Sequence, residues 1–197
     1  GFDKATAFFD CIYIQDATGG INLFPVAGDF RIGQRVRVSG VTSSYQGERQ
    51  LAVSGIELLD STLAPAVPQL ASTRSSMQPG NTGRLLSIKG RISSLGFASD
   101  GTLETIMVND GSGAARIFID GYIMPGYAGL DGLAVGDTIT AIGLGSVDTL
   151  GARLRVRNRA EINKTTPAPG EGDDDNAGNR TYTVYVLADV GGSIPPY

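Results

Sequence analysis

Several residue types that usually carry chemistry are absent or scarce in this chain. The 197 residues include no histidine, no tryptophan and a single cysteine, Cys11. Without histidine the chain lacks the commonest metal ligand and the usual general base, and one cysteine cannot form an intramolecular disulfide. Because Cys11 lies within a predicted strand with no base beside it, the sequence predicts no catalytic residue, no cofactor and no metal site.

Long apolar runs and an excess of basic charge are also lacking. No stretch of 18 or more apolar residues exists, so we expect no membrane-spanning segment and no signal peptide at the start of the chain. The net charge is −4 at pH 7. A chain of this charge has no overall positive field to attract nucleic acid, so any such contact has to be local.

The residues that are abundant favour β-structure. The chain contains 28 glycines, β-branched residues dominate its apolar runs, and no segment shows a long 3.6-residue periodicity. Glycine in β-proteins marks turns and the corners of barrels. We therefore predict an all-β fold.

One hairpin pattern occurs twice in the sequence. Residues 9–24 alternate apolar and polar on both sides of a tight turn at residues 16–20, which is typical of two antiparallel strands. Residues 106–118 repeat this scheme about half a chain length later, with Asp110 at the position of Asp16. The repetition indicates two related domains.

The order of predicted strands favours two tandem OB-fold-like five-stranded barrels, the first lacking its own first strand. The second copy has five strands in the order strand, hairpin, connection, strand, strand, whereas the first copy has four. A small β-sandwich is the alternative fold. The predicted segments are residues 1–60 (first repeat), 61–82 (linker), 83–165 (second repeat), 166–180 (acidic linker) and 181–197 (C-terminal strand).

The C-terminal strand has no partner in this scheme. Residues 181–188 alternate apolar and polar side chains. An incomplete barrel leaves an exposed strand edge, which favours pairing with an added strand. We therefore expect this strand either to complete the first repeat, in cis or by strand exchange with a second chain, or to begin a further domain.

Each predicted hairpin turn carries an aspartate two residues before a hydroxyl side chain and a glycine. Asp16 precedes Thr18, and Asp110 precedes Ser112. One carboxylate per turn is too few ligands for a hard cation. We expect each aspartate to accept backbone hydrogen bonds across its turn while glycine adopts a positive φ.

Part of the sequence resembles a known family. Residues 6–21, which include Gln-Asp-Ala-Thr-Gly-Gly, and the later segment 33–40 are similar to OB-fold modules of bacterial extracellular nucleases, phosphoesterases and multidomain surface proteins. The resemblance implies an accessory, noncatalytic role at the cell surface or outside the cell. It also implies that catalytic or surface domains lie in the same parent polypeptide as partners.

The outward side of each hairpin is the best candidate binding surface. OB-folds bind oligonucleotides or sugars there, with aromatic rings stacking on bases and arginines contacting phosphates. A ladder of arginines on the last strand of the second repeat would strengthen contact with phosphates. The candidate residues for binding single-stranded nucleic acid are Tyr13, Asn22, Phe24, Met107, Arg116, Phe118, Arg153, Arg155 and Arg157.

A second interpretation stands beside this one. The hairpin aromatics can equally pack against the neighbouring repeat, and the arginines can pair with carboxylates such as Glu104, Asp137 or Glu161. Two functions therefore remain open at this point. One is a noncatalytic module that binds single-stranded nucleic acid, and the other is a structural or adhesive spacer that binds protein or glycan.

Overall fold

The prediction of an all-β chain is confirmed. The computed structural model describes residues 12–120, 130 and 132–165, all within a unit that spans residues 1–166. The strands are β1 (Ile12–Gln15), β2 (Gly20–Phe24), β3 (Arg35–Tyr45), β4 (Glu48–Asp60), β5 (Gln69–Leu70), β6 (Leu85–Phe97), β7 (Leu103–Asn109), β8 (Ala114–Phe118), β9 (Thr138–Asp148), β10 (Gly151–Arg155) and β11 (Ile162–Lys164). Cys11, the predicted acidic linker 166–180 and the predicted strand 181–197 lie outside the described residues.

The second repeat is a closed five-stranded barrel. Strand β6 pairs with β7 on one side and with β9 on the other, β7 pairs with β8, and β10 joins β8 in parallel and β9 antiparallel. Every strand of this ring therefore has two neighbours within the ring. This is the five-stranded Greek-key barrel of the OB-fold.

Strand β6 pairs with β9 and β7 along different parts of its length. Residues 85–91 pair with β9 and residues 91–97 pair with β7. The register with β7 shifts between Ile92 and Ser94. Such an irregularity bends a strand and increases its twist, which lets β6 turn the corner of the barrel.

The first repeat has the same strand order but no equivalent of β6 among the described residues. Strands β1 and β2 form the hairpin, β2 pairs with β4 in parallel, and β4 pairs with β3 antiparallel. A groove of about 860 Å³ lies between β1 and β3, where a first strand would complete the barrel. It is lined in part by Ile14, Ile21, Phe30 and Val36. The predicted incomplete first barrel is therefore seen in the part of the chain that the structure describes.

The two repeats differ in the size of their cores. The core of the second repeat includes several side chains with no exposed surface, among them Ile106, Ile117 and Leu154. In the first repeat the buried apolar residues within the described range are Ile12, Leu23 and Val26. Because full burial of a large aliphatic side chain contributes about 1.5–3 kcal/mol, the closed barrel has the larger hydrophobic contribution to stability among the described residues.

Part of the predicted linker is folded onto the second barrel. Strand β5 pairs with β6, and a single helical turn, α1 (Thr73–Ser76), is capped by the Ser72 side chain. Thr73 is fully buried and donates from its backbone nitrogen and its hydroxyl to the Asp110 carboxylate, at 3.0 and 2.6 Å. The turn that begins β8 is thereby tied to the segment that precedes β6.

Both turn aspartates accept hydrogen bonds across their turns, as the sequence predicts. Asp16 accepts from the nitrogen and hydroxyl of Thr18 at 2.8 and 2.6 Å, and Asp110 accepts from the same groups of Ser112 at 2.9 and 2.6 Å. The hydrogen bonds from Ser112, and after them those from Thr73, hold the pKa of Asp110 far below its usual range. In each repeat, the aspartate carboxylate therefore has a structural role in its own turn.

The prediction of positive φ at the turn glycines holds only in the second repeat. Gly111 and Gly113 have φ values of 97° and 147°, whereas neither Gly19 nor Gly20 has a positive φ. In the first turn glycine is required for a different reason. Gly20 lies against the backbone of Gly83, where the two repeats meet.

Candidate functional site

The two repeats meet through a direct backbone contact. A Cβ atom on Gly20 would lie 2.1 Å from the carbonyl oxygen of Gly83, so neither position has room for a side chain. Close by, Arg84 donates to the carbonyl of Thr18 at 2.8 Å. The backbone nitrogen of Leu85 donates to the Gln15 side chain at 2.7 Å. These bonds hold the first hairpin beside the start of β6.

A buried glutamate also joins the repeats. Glu48, at the start of β4, is 5% exposed and accepts hydrogen bonds from the Tyr13 hydroxyl and the Ser146 hydroxyl, both at 2.7 Å. Burial, and then the nearby Glu48 carboxylate, raises the pKa of Tyr13 above its usual value. A carboxylate held by two hydroxyl donors satisfies much of its hydrogen-bonding capacity away from water.

Tyr13 therefore faces the second repeat rather than solvent. It lies on the predicted outward side of the hairpin, and its ring packs against the core cluster of the second barrel. For this residue the structure has the arrangement in which the hairpin aromatic packs against the neighbouring repeat.

The predicted arginine ladder is present, and each of its members is paired with an acid. Arg116 and Arg153 both bind Asp148, the Arg153 contact at 3.0 Å, and their side chains are only 13% and 11% exposed. Further along β10 and beyond it, Arg155 pairs with Asp120 and Arg157 with Glu161. Asp137, one of the partners predicted for these arginines, instead binds Lys164 at 2.8 Å.

The aromatic ring on this face is covered by one of the same arginines. The Arg153 guanidinium lies 4.5 Å from the centre of the Phe118 ring, a cation–π contact that occupies one side of the ring. Met107 is half-buried and pairs in register with Arg116. The outward side of the second hairpin therefore has its charges neutralised and its aromatic ring already in contact.

The outward side of the first sheet is different. Directly paired residues on neighbouring strands point to the same side, so the register of the first sheet identifies the residues that share this side. Beside the residues that join the two repeats, it includes exposed apolar side chains: Phe24 is 41% exposed, Tyr45 66% and Val41 72%. We call this surface the open face; it comprises Asn22, Phe24, Val41, Ser43, Tyr45, Gln50 and Ala52.

The open face contains a polar row with unsatisfied atoms. Asn22, Gln50 and Ser43 lie side by side on β2, β4 and β3. Asn22 is 8% exposed, and neither its Oδ1 atom nor the buried Ser43 hydroxyl has a hydrogen-bond partner in the described part of the chain. An unsatisfied buried polar group costs about 1–3 kcal/mol. Two of them in a single row call for an explanation.

The open face itself has no basic side chain. Its residues are apolar, hydroxyl or amide, and the nearest acid along the same side of β4, Glu48, is occupied by Tyr13 and Ser146. A surface of this kind suits a neutral, planar, hydrogen-bonding group rather than a phosphate.

The nine predicted site residues thus fall into three groups. The structure leaves Phe24 exposed, covers Tyr13 and Asn22, and engages the remaining residues on the second repeat in contacts of their own. Sequence reasoning missed Tyr45, because Tyr45-Gln46-Gly47 has the composition of a turn. The alternation of Val41, Ser43 and Tyr45 along β3 is the signal that could have identified it.

The described residues include neither a cluster of metal ligands nor a helix long and apolar enough to cross a membrane. Residues 12–120, 130 and 132–165 contain no group of three or more histidine, cysteine, aspartate or glutamate side chains able to hold a metal ion. Within the same ranges, no helix has the length and apolar character needed to cross a membrane.

Comparison with known proteins gives only weak likenesses. No family model and no curated protein matches the chain. The S. pombe Stn1-Ten1 complex aligns at 18% identity and a TM-score of 0.34, over 43% of this chain and 60% of that chain. A full-length MCM homolog from Methanopyrus kandleri aligns at 22% identity and a TM-score of 0.30, over 48% of this chain and 17% of that one. The chain therefore spans less than two thirds of either relative.

A further solved structure is matched over more of its length. A deletion mutant of the single-stranded DNA binding protein from Thermus aquaticus aligns at 16% identity and a TM-score of 0.32, over 82% of each chain. Because all these TM-scores are below 0.5, the fold assignment rests on the strand pairing described above.

Proposed function

We propose that this chain is a noncatalytic tandem OB-fold module that binds single-stranded nucleic acid on the open face of its first repeat. The observation that carries the proposal is the pair of exposed aromatic residues, Phe24 and Tyr45, on one side of one sheet. Bases of any sequence stack on such rings, at about 1–3 kcal/mol per base.

Charge supports a particular mode of binding. The open face carries no arginine or lysine, and the four arginines predicted as phosphate contacts on the second repeat, Arg116, Arg153, Arg155 and Arg157, are paired with acids. Binding therefore depends on stacking and hydrogen bonding rather than on phosphate contacts. Because few counterions are released, affinity changes little with salt.

Fluorescence anisotropy with a labelled single-stranded oligonucleotide tests this proposal. We expect Tyr45→Ala and Phe24→Ala each to weaken binding about 10-fold, with only a small change between 50 and 200 mM salt. Phe97→Ala, which removes an aromatic side chain 60% exposed on the second repeat, is the matched control and should bind normally. Absence of binding at both salt concentrations would contradict the proposal.

A structural or adhesive spacer is the second candidate, and the joint between the repeats favours it. The Tyr13–Glu48–Ser146 contacts and the Gly20–Gly83 contact fix the two repeats together, as a spacer of defined length requires. In that case the wild-type protein binds no oligonucleotide but binds a protein or glycan, and Tyr45→Ala does not affect its stability.

The sequence resemblance supports the wider setting of the proposal. We place the module in a secreted or cell-surface bacterial protein, with any catalysis in another domain of the same polypeptide. Detection of the parent protein in the culture medium or in a cell-wall fraction, rather than in the cytoplasm, tests this placement.

A further inference from the structure

We propose that residues 181–188 of this chain form a strand that enters the groove between β1 and β3 and closes the first barrel. This does not depend on the proposed function, because the groove lies on the inner side of the first sheet. Ile14 and Ile21, which line the groove, pair with each other on the hairpin and point away from the side that carries Asn22. Residues 181–188 lie outside the described part of the chain, and their candidacy depends on their sequence and on their reach.

The groove has an unpaired strand edge on each side. In the described part of the chain, β1 pairs only with β2 and β3 pairs only with β4, so β1 and β3 are the two outer strands of the first sheet. The outer edge of such a strand carries backbone N–H and C=O groups that pair readily with an added strand. One strand in the groove would complete both edges at once.

The second repeat shows which kind of strand closes a barrel of this order. Strand β6 runs antiparallel to both β7 and β9, the counterparts of β1 and β3. Its inward side chains Leu86, Ile88 and Ile92 are no more than 2% exposed. Lys89 and Arg91, which lie between them, are exposed. The first barrel therefore requires a strand with apolar side chains at alternate positions.

The side chains beside the groove are less buried than their counterparts in the closed barrel. Ile14 and Val36 line the groove and are half-buried. Val108 occupies the position of Ile14 in the second hairpin, Ile139 occupies the position of Val36 at the start of β9, and they are 0% and 1% exposed. At the rim of the groove, Leu59 is 43% exposed. The first repeat thus presents apolar surface that an apolar strand would remove from water.

The sequence of residues 181–188 has the pattern that the groove requires. In an extended strand, Tyr182, Val184 and Val186 share one side, and Thr183 and Tyr185 share the other. Most residues of the segment are β-branched or aromatic, which favours a strand, and the segment contains no glycine or proline. Such a strand can present its valines to the groove and its threonine to solvent.

The segment is also tethered within reach of the groove. Thr165, the last described residue, donates to the carbonyl of Thr138 at the start of β9. Leu144, which lines the groove, lies about 20 Å further along that strand. Residues 166–180 can span about 50 Å when extended. Because a short tether gives an effective concentration on the order of millimolar, the segment of the same chain is favoured over that of a second copy.

Hydrogen exchange of the full chain, measured by mass spectrometry, tests the proposal. In wild type we expect slow exchange at the backbone amides of β1 and β3 that do not bond to β2 or β4. Val184→Pro removes a backbone N–H that a paired strand needs. It should accelerate exchange at these amides at least about 10-fold. Exchange in β6 and β9 should not change, because the second barrel is already closed.

Two further comparisons separate pairing in the groove from general effects of substitution. Ala177→Pro places a proline in the acidic linker and should exchange as wild type does. Val184→Ala is a milder change than proline, and Thr183→Ala is its matched control on the opposite side of the strand. We expect Val184→Ala to accelerate exchange in β1 and β3 several-fold more than Thr183→Ala does. This pair of variants decides the matter if the proline variant does not fold.

Each of the other outcomes overturns the proposal. Fast exchange at the outer edges of β1 and β3 in wild type would mean that no strand fills the groove. Slow exchange that survives Val184→Pro, or equal effects of Val184→Ala and Thr183→Ala, would mean that another segment fills it. A wild-type dimer that Val184→Pro converts to a monomer in analytical ultracentrifugation would assign the groove to a second copy. These readouts do not involve oligonucleotide, so the proposed function is tested separately.

Discussion

The two repeats share a strand order but use their hairpin faces in opposite ways. In the second repeat, Arg116 and Arg153 share Asp148, and Arg153 covers the Phe118 ring. In the first repeat, part of the face lies against its neighbour, while Phe24 and Tyr45 are left exposed. One fold therefore supplies a neutralised, self-contained face and an open one. The two faces differ in the contacts that their side chains make, although the strands that carry those side chains have the same order in both repeats.

The largest expected difference between the repeats concerns their cores. Leu154→Ala removes a fully buried side chain from the closed barrel and should lower the free energy of unfolding by about 3–4 kcal/mol. Leu51→Ala removes a half-buried side chain from the open barrel and should cost about 1–2 kcal/mol. Urea unfolding of both variants measures the comparison. Equal losses would contradict the view that the closed barrel carries most of the stability.

The next effect tests the contact between the repeats. A Cβ atom at Gly20 would collide with the Gly83 carbonyl at 2.1 Å, whereas a Cβ atom at Gly19 would have no other atom within 4 Å. Gly20→Ala should therefore lower the free energy of unfolding by about 2–3 kcal/mol, and Gly19→Ala by less than about 1 kcal/mol. The two thermal unfolding curves can be compared directly. If they coincide, the joint is more adaptable than its geometry indicates.

A smaller effect asks whether neutralisation keeps the second face from binding phosphates. Asp148→Asn removes the charge that Arg116 and Arg153 share and should cost about 1–2 kcal/mol of stability. The released positive charge should raise oligonucleotide affinity several-fold at low salt, with a steeper salt dependence than wild type shows. Anisotropy titrations at 50 and 200 mM salt measure both quantities. An unchanged salt dependence would indicate that steric hindrance, rather than charge neutralisation, keeps phosphates from binding this face.

The smallest effect compares the two turn aspartates at acidic pH. The pKa of each is lowered, that of Asp16 by Thr18 and that of Asp110 by Ser112 and Thr73. Because the folded-state pKa is the lower one, each carboxylate stabilises the fold above about pH 4, its unfolded pKa, and loses that contribution as the pH falls further. Between pH 5 and 2.5, taken as roughly the titration range of carboxylates, the urea midpoint should fall less steeply for Asp110→Asn than for wild type. The change should be smaller for Asp16→Asn, whose bonds stay within its own turn.

Much of the fold could be predicted from the sequence because it depends on local patterns. Alternation at residues 9–24 and again at 106–118 indicates both hairpins, and the strand order indicates the barrel and its missing strand. The folded part of the linker could not be predicted in this way. Thr73 is held by Asp110, and such a pairing of residues distant in sequence leaves no periodic signal near Thr73.

The sequence predicts on which side of the sheet the candidate site residues lie, but it does not predict which of them are exposed to solvent. Alternation correctly placed Tyr13, Asn22 and Phe24 on the same side of the hairpin. Which of them contacts solvent depends on where the second repeat lies, and that is a tertiary property. In the same way, alternation aligned the arginines of β10, but Asp148 and Asp120, which neutralise them, were not among the predicted partners.

The contact between Gly20 and Gly83 also has a consequence for exchange of these repeats between proteins. Each glycine makes room for the backbone of the other, so the two positions act as one unit although they belong to different repeats. A chimera that takes one repeat from a relative with a side chain at either position would lose the joint even if both barrels folded. Successful recombination therefore requires that the donor and the recipient carry the glycines as a pair.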